Sequence, residues 1–234
     1  LGDVYKRQAN SLKEFADGLE GAADFSTELN KLLVETIKKH KRIIFNGNGY
    51  SDEWVAEAER RGLPNIRSMI EAVETLTTDK AVKLFEKFGI FTKAELESRE
   101  EVLYEIYAKT INIEALTMVD MASKEIIPAV IKYSKSLADS VLAVKEAGAD
   151  AEVQTELLKE VSAKLTEMKT ALAKLEEVEA KAAAMENAKD QAFYYKDVVK
   201  AAMDALRKPA DELEMIVDKK VWPFPTYADL MFEV

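Results

Sequence analysis

Few residues in this chain could do chemistry, and each has a structural rival. His40 is the single histidine among 234 residues and lies in Lys38-Lys39-His40-Lys41-Arg42. One imidazole excludes every multi-histidine site and leaves little room for acid–base work. At a helix C-terminus its neighbours' positive charge suits the dipole, so a capping or surface role is expected. A di-iron centre in a helical bundle needs two Glu-x-x-His motifs, which one histidine cannot supply. There is no cysteine, hence no disulfide, thiolate metal site or thiol nucleophile.

Glu114 and Asp120 sit in Ile111-Asn112-Ile113-Glu114-Ala115-Leu116-Thr117-Met118-Val119-Asp120-Met121-Ala122. Apolar neighbours on nearly every face predict that both carboxylates are partly buried and paired with Lys or Arg, which outweighs metal or acid–base work. Phe45-Asn46-Gly47-Asn48-Gly49-Tyr50 before a helix faintly resembles a phosphate loop. The dinucleotide fingerprint needs Gly or Ala where Asp52 stands, and a Walker lysine is missing. Asp52 and Glu53 would repel a phosphate there, so a turn with a helix cap is expected. The charges between Lys159 and Lys189 form a solvated helix face. No catalytic, cofactor-binding or metal-binding residue is assigned.

The elements that would position these groups are all helical, and the expected fold class is all-α. Residues 9–42 carry two helical patterns: Leu12, Phe15, Leu19, then Leu29, Leu32, Leu33, Thr36, Ile37. Asp24 is the expected cap of the second. Ser51 caps a short helix whose first turn holds Asp52 and Glu53, and Gly62-Leu63-Pro64-Asn65 ends it. Two more short helices follow, the second running from near Thr78 to Gly89. Thr92-Lys93-Ala94-Glu95 reads as a capping box opening a long helix past Val144, kinked at Pro128. Gly148-Ala149-Asp150 forms a tip, with Asp150 as the fresh cap.

Leu158, Val161, Leu165, Met168, Leu172 and Leu175 then form a heptad seam that blurs at Val178 and Glu179. A third helix carries Val199, Met203, Leu206, Ala210, Leu213 and Val217, with Pro209 inside. Short connections imply an antiparallel bundle or hairpin. Val221-Trp222-Pro223-Phe224-Pro225-Thr226-Tyr227 is too proline-rich for a helix and is expected to dock as a strap.

Forty-three acidic against 33 basic residues leave a net charge of −10. That disfavours nucleic acid, whose phosphates are bound by Lys and Arg, and anionic membranes. Apolar residues make up 48% of the chain, enough for a real core. No apolar run approaches the ~20 residues of a membrane span. A cytoplasmic protein is expected. Residues 1–8, Leu1-Gly2-Asp3-Val4-Tyr5-Lys6-Arg7-Gln8, resemble the translated end of a sequencing-library transposon and are expected to be a non-native scar. With no initiating Met, the chain is expected to be the tail of a longer protein.

Several long, non-repetitive segments resemble the C-terminal region of type III glutamine synthetases, in that family's order over residues 9–234. They are Lys39-His40-Lys41-Arg42-Ile43-Ile44-Phe45-Asn46-Gly47-Asn48-Gly49-Tyr50-Ser51-Asp52-Glu53-Trp54, Glu57-Ala58-Glu59-Arg60-Arg61-Gly62-Leu63-Pro64-Asn65 and Ala81-Val82-Lys83-Leu84-Phe85-Glu86-Lys87-Phe88-Gly89. Lys109-Thr110-Ile111-Asn112-Ile113-Glu114-Ala115 and Trp222-Pro223-Phe224-Pro225-Thr226-Tyr227 fit the same family. Asn48 stands where an acidic residue is expected, and Val55 where His is.

The resemblance implies an ATP-dependent glutamate–ammonia ligase acting through γ-glutamyl phosphate. Mg2+ or Mn2+ would be held by an upstream β-rich catalytic domain whose motifs are not found here, so this chain alone is expected to be inactive. The resemblance also implies that residues 9–45 are the last helices of that domain, 46–91 a connector of short helices, 92–220 a long-helix bundle and 221–234 the strap. Implied partners are the upstream domain and other subunits of a homo-oligomeric ring. The rival expectation is a free-standing helical interaction module.

Overall fold

The computed structural model describes residues 2–232, and every regular element among them is helical. The chain divides into two compact units at Glu100/Glu101.

In the first unit α1 spans Gly2–Leu19 and α2 spans Phe25–His40, separated by a turn in which Gly21 takes φ +78°. Asp24 caps α2 by accepting from the Thr27 amide at 3.2 Å, so an acceptor stands where the first turn leaves amides free. A 3-10 turn, Lys41–Ile43, follows. Then come α3 (Asp52–Arg60), α4 (Met69–Val73) and α5 (Asp79–Lys87), capped by Ser51, Ser68 and Thr78. Gly62 and Gly89 sit at positive φ just past α3 and α5, where an L side chain would be strained. A small core joins Ala81, Val82, Phe85 and Leu96, with Ile90 and Phe91 against it.

Helix α6, Lys93–Met121, opens on the expected capping box. The Thr92 amide donates to Glu95 Oε2 at 2.8 Å, and Thr92 Oγ1 accepts from the Glu95 amide at 3.3 Å. A π turn, Ala122–Ile126, leads directly into α7, Ile127–Glu146, with Pro128 in its first turn. The Ile127 amide reaches back to the Ala122 carbonyl. Pro128 has no N–H to give, and a widened turn re-pairs the backbone around it. The expected kink is thus a π turn just before the proline.

Gly148 makes the tip at φ +81°. Ala151 occupies the cap of α8, Glu152–Ala183, without a side-chain bond, so Asp150 is not the cap that the spacing suggests. Helix α9, Ala188–Tyr194, is capped by Asn187 and passes through a second π turn, Tyr195–Val199, into α10, Lys200–Glu214.

The bundle is antiparallel, with α8 packed on both α7 and α10. Its core takes Ile111 and Ala115 from α6, Val161, Met168, Leu172 and Leu175 from α8, and Tyr195, Val199, Leu206 and Leu213 from the third limb. The α8 seam does not blur: Val178 and Ala182 are also buried, because the small alanine lets the limbs stay close where the sequence turns alanine-rich. Trp222 is buried, and Val221 and Phe224 pack on the same core. The strap is therefore docked, but its end is helical. Helix α11, Tyr227–Phe232, starts directly after Pro225-Thr226, with Thr226 and Asp229 exchanging amide bonds. Proline is compatible with a helix start, and the capping pair supplies the rest.

Candidate functional site: placement of the polar groups and of the uncovered apolar surface

Glu114 and Asp120 are both exposed on α6, which overturns the expectation of burial. Six residues turn a helix by roughly 240°, so the two carboxylates leave different sides. Asp120 pairs with Lys124 on the surface one turn on. Their apolar neighbours divide between two sides of α6: Ile111 and Ala115 are buried, whereas Ile113 and Leu116 are exposed. His40 is exposed in the last turn of α2.

The glycine loop is a built turn. The Tyr50 amide donates to Asn48 Oδ1 at 3.0 Å, the Ser51 hydroxyl donates to the Asn48 carbonyl at 3.1 Å, and Ser51 then caps α3. Phe45 stacks on Trp54 with ring centroids 4.2 Å apart. A Cβ at Gly47 would come within 2.5 Å of the Phe45 ring. Arg61 locks the segment by donating from Nη1 to the carbonyls of Arg42 (3.2 Å) and Ile44 (2.9 Å), with its guanidinium 5.5 Å from the Trp54 ring centroid. Glu57 accepts from Arg60 and Arg61, both at 2.6 Å. The two arginines, Arg60 first, hold its carboxyl down to about 2 from 4.5. These contacts bind the loop's own atoms: the Tyr50 and Ser51 amides are spent on the turn, and the Ser51 hydroxyl on the cap of α3.

One polar cluster in the bundle escapes a reading by spacing. The Asn112 side-chain amide donates to Glu179 Oε1 at 2.7 Å and to the Tyr195 hydroxyl at 2.8 Å, joining three limbs. Tyr195 is buried, and burial raises its phenol above its ordinary value. An Asn inside an apolar run was the available signal; its partners lie 67 and 83 residues away. Among the described residues no three His, Cys, Asp or Glu side chains converge in a way that could hold a metal ion. Nor is any described helix long and apolar enough to cross a membrane.

Apolar surface left uncovered is the more telling feature. Helix α2 has no buried residue, and Phe25, Leu33, Val34 and Ile37 are exposed on it. Ile43 and Ile44 continue this exposure towards the loop. An amphipathic helix gains most of its stability from the face it buries, so α2 lacks its proper cover in this chain.

Residues 28–145 match the family model described as glutamine synthetase C-terminal domain, which takes in half of the chain. The chain belongs to that family. A glutamine synthetase of Butyrivibrio fibrisolvens is 39% identical over 213 residues, taking in 90% of this chain and 30% of the relative. The type-3 glutamine synthetase of Dictyostelium discoideum is 34% identical over 212 residues, 88% of this chain and 29% of the relative. A glutamine synthetase of Bacteroides fragilis strain YCH46 is 32% identical over 234 residues, 96% of this chain and 32% of the relative. The chain thus spans about 30% of the length of the curated relatives it matches. The family's domain takes in α2 to α7, and alignments of that coverage necessarily reach helices beyond residue 145.

Proposed function

We propose that this chain is the C-terminal helical part of a type III glutamine synthetase and that its role in the parent enzyme is structural. The carrying observation is the similarity of nearly the whole chain to about 30% of each of three glutamine synthetases. The parent would ligate ammonia to glutamate through γ-glutamyl phosphate, using ATP with Mg2+ or Mn2+, in the cytoplasm. The residues present do not fit a metal–nucleotide site, since no carboxylate group converges among those described.

Residues 1–8 are a scar in this reading, and residues 9–45 are the last helices of the catalytic domain. The uncovered side of α2 supports that boundary, because Leu33, Val34 and Ile37 would be buried against the rest of that domain. The bundle supports assembly of a homo-oligomeric ring. Purified chain given ATP, Mg2+ or Mn2+, glutamate and hydroxylamine is expected to make no γ-glutamyl hydroxamate; turnover would overturn the reading. An open frame continuing upstream of codon 9 into a carboxylate-rich β domain is expected. A start codon with a ribosome-binding site directly before Ala9 would refute it.

A further inference from the structure

Apolar residues fall on two sides of α6. Tyr104, Ala108, Ile111 and Ala115 are buried, whereas Val102, Ile106, Ile113 and Leu116 are exposed. At 3.6 residues per turn each set keeps within an arc of about 80°, and the two arcs are centred roughly 150° apart. Apolar spacing alone therefore gives this helix two ways to face the bundle. Continuity with α7 does not decide between them. Resolving the π turn at Ala122–Ile126 into regular α-helix would rotate α6 against α7 by about 100°, most of the way from one side to the other. Lys109 stands on the exposed side with its Nζ held by Glu105 at 2.7 Å, and weighs at one point against turning that side in.

The buried side is marked by a polar layer. Counting three–four along the α8 seam from Leu172 and Leu175 lands on Glu179 and then Ala182, so a carboxylate holds a seam position in an otherwise apolar row. Tyr195 is buried four residues before Val199 in the third limb and opens its π turn, which the Lys200 amide closes on the Tyr195 carbonyl. The Asn112 side-chain amide donates to both, at 2.7 Å to Glu179 Oε1 and at 2.8 Å to the Tyr195 hydroxyl. Asn112 lies about 70° from the centre of the buried side. Turning the other side of α6 inward would swing it to the opposite flank and leave the buried phenol and the seam carboxylate without this donor. Apolar contacts are non-directional and survive a change of partner; two bonds from one amide do not.

We propose that Asn112 is a conformational pin: its paired bonds to Glu179 and Tyr195 select which side of α6 faces the bundle. A polar layer of this kind specifies one arrangement without adding stability over an apolar layer of the same size. The device lies within one chain and does not depend on the parent enzyme.

The chain contains no cysteine, so single engineered thiols report the facing of α6 by their rate of alkylation in the 234-residue chain. Ala115→Cys, on the buried side, should react far more slowly than Ile113→Cys, on the exposed side. Ala129→Cys, buried in α7, is the control beyond the π turn. Adding Asn112→Leu should raise the Ala115→Cys rate more than tenfold and slow Ile113→Cys, with Ala129→Cys still protected. Asn112→Leu alone leaves the Tyr195 hydroxyl without this donor, which itself costs stability. The triple variant Asn112→Leu/Glu179→Leu/Tyr195→Phe therefore separates facing from stability. Its urea midpoint should equal or exceed that of the unsubstituted chain, while Ala115→Cys loses protection as in the single variant. Full protection of Ala115→Cys in the triple variant would overturn the proposal, since apolar spacing would then suffice. Equal loss of protection at positions 115 and 129, or a lowered midpoint in the triple variant, would also overturn it by making the cluster a general cement of the bundle.

Discussion

Leu165 and Leu172 lie one heptad apart on α8 and are equivalent by spacing, but they should differ sharply on truncation. Leu172 is fully buried between limbs of the bundle. Leu165 is only partly buried and lines an open groove with Ile127, Ile131, Thr170 and Ala173. Leu172→Ala removes buried methyl groups and leaves a cavity whose walls belong to other limbs, which costs about 3 kcal/mol. Leu165→Ala loses part of a contact already open to water, which costs about 1 kcal/mol. With a urea dependence near 2 kcal/mol per M, the midpoint should fall by about 1.5 M for the first variant and about 0.5 M for the second. Urea titration followed by circular dichroism at 222 nm reads both. Equal shifts, or a larger one for Leu165→Ala, would refute the assignment of the inner seam.

The other predictions concern single groups. Tyr195→Phe removes one of the two acceptors of Asn112, and should lower stability by about 1 kcal/mol in the same titration; no change would show that the cluster is not formed in solution. Pro209→Ala restores a helix amide but strips a fully buried ring, so the opposing effects should leave stability within about 1 kcal/mol of wild type, and a loss beyond 3 kcal/mol would contradict that balance. Because Arg60 and Arg61 depress the Glu57 carboxyl to about 2, its stabilisation is full above about 4.5 and lost as pH falls toward 2. Glu57→Gln should remove that part of the acid dependence, and a carboxyl titration by NMR with a midpoint near 4.5 would exclude the fork.

What was legible in the sequence was what is local. Caps at Asp24 and Ser51, the Thr92–Glu95 box and the glycine stops at Gly62, Gly89 and Gly148 each depend on residues within one turn. The core of the third limb followed from its three–four spacing, with Val199, Met203, Leu206, Leu213 and Val217 all buried. Illegible was what depends on a neighbour. Apolar residues flank Glu114 and Asp120 in sequence, but they divide between two sides of α6. The exposed side then carries Val102, Ile106, Ile113 and Leu116 beside its charged residues. The π turns, Ala122–Ile126 and Tyr195–Val199, carry no residue signature of their own. Asn112 found partners only once three limbs were packed. The candidate chemistry read from single residues dissolved for the same reason: Asp120 pairs within its own helix and the glycine loop closes on its own atoms, while α2 and α6 leave apolar residues exposed.

The central claim is that this bundle is a structural part of a larger ligase. It is tested most directly by placing Leu165→Asp/Leu172→Asp in the full-length parent enzyme and measuring its oligomer by native mass spectrometry alongside γ-glutamyl hydroxamate turnover. Charge at the buried Leu172, with a second at the partly buried Leu165, should melt the bundle locally, convert the large oligomer to smaller species and lower turnover with it, the catalytic residues being untouched. An oligomer of wild-type mass with wild-type turnover would contradict the structural role.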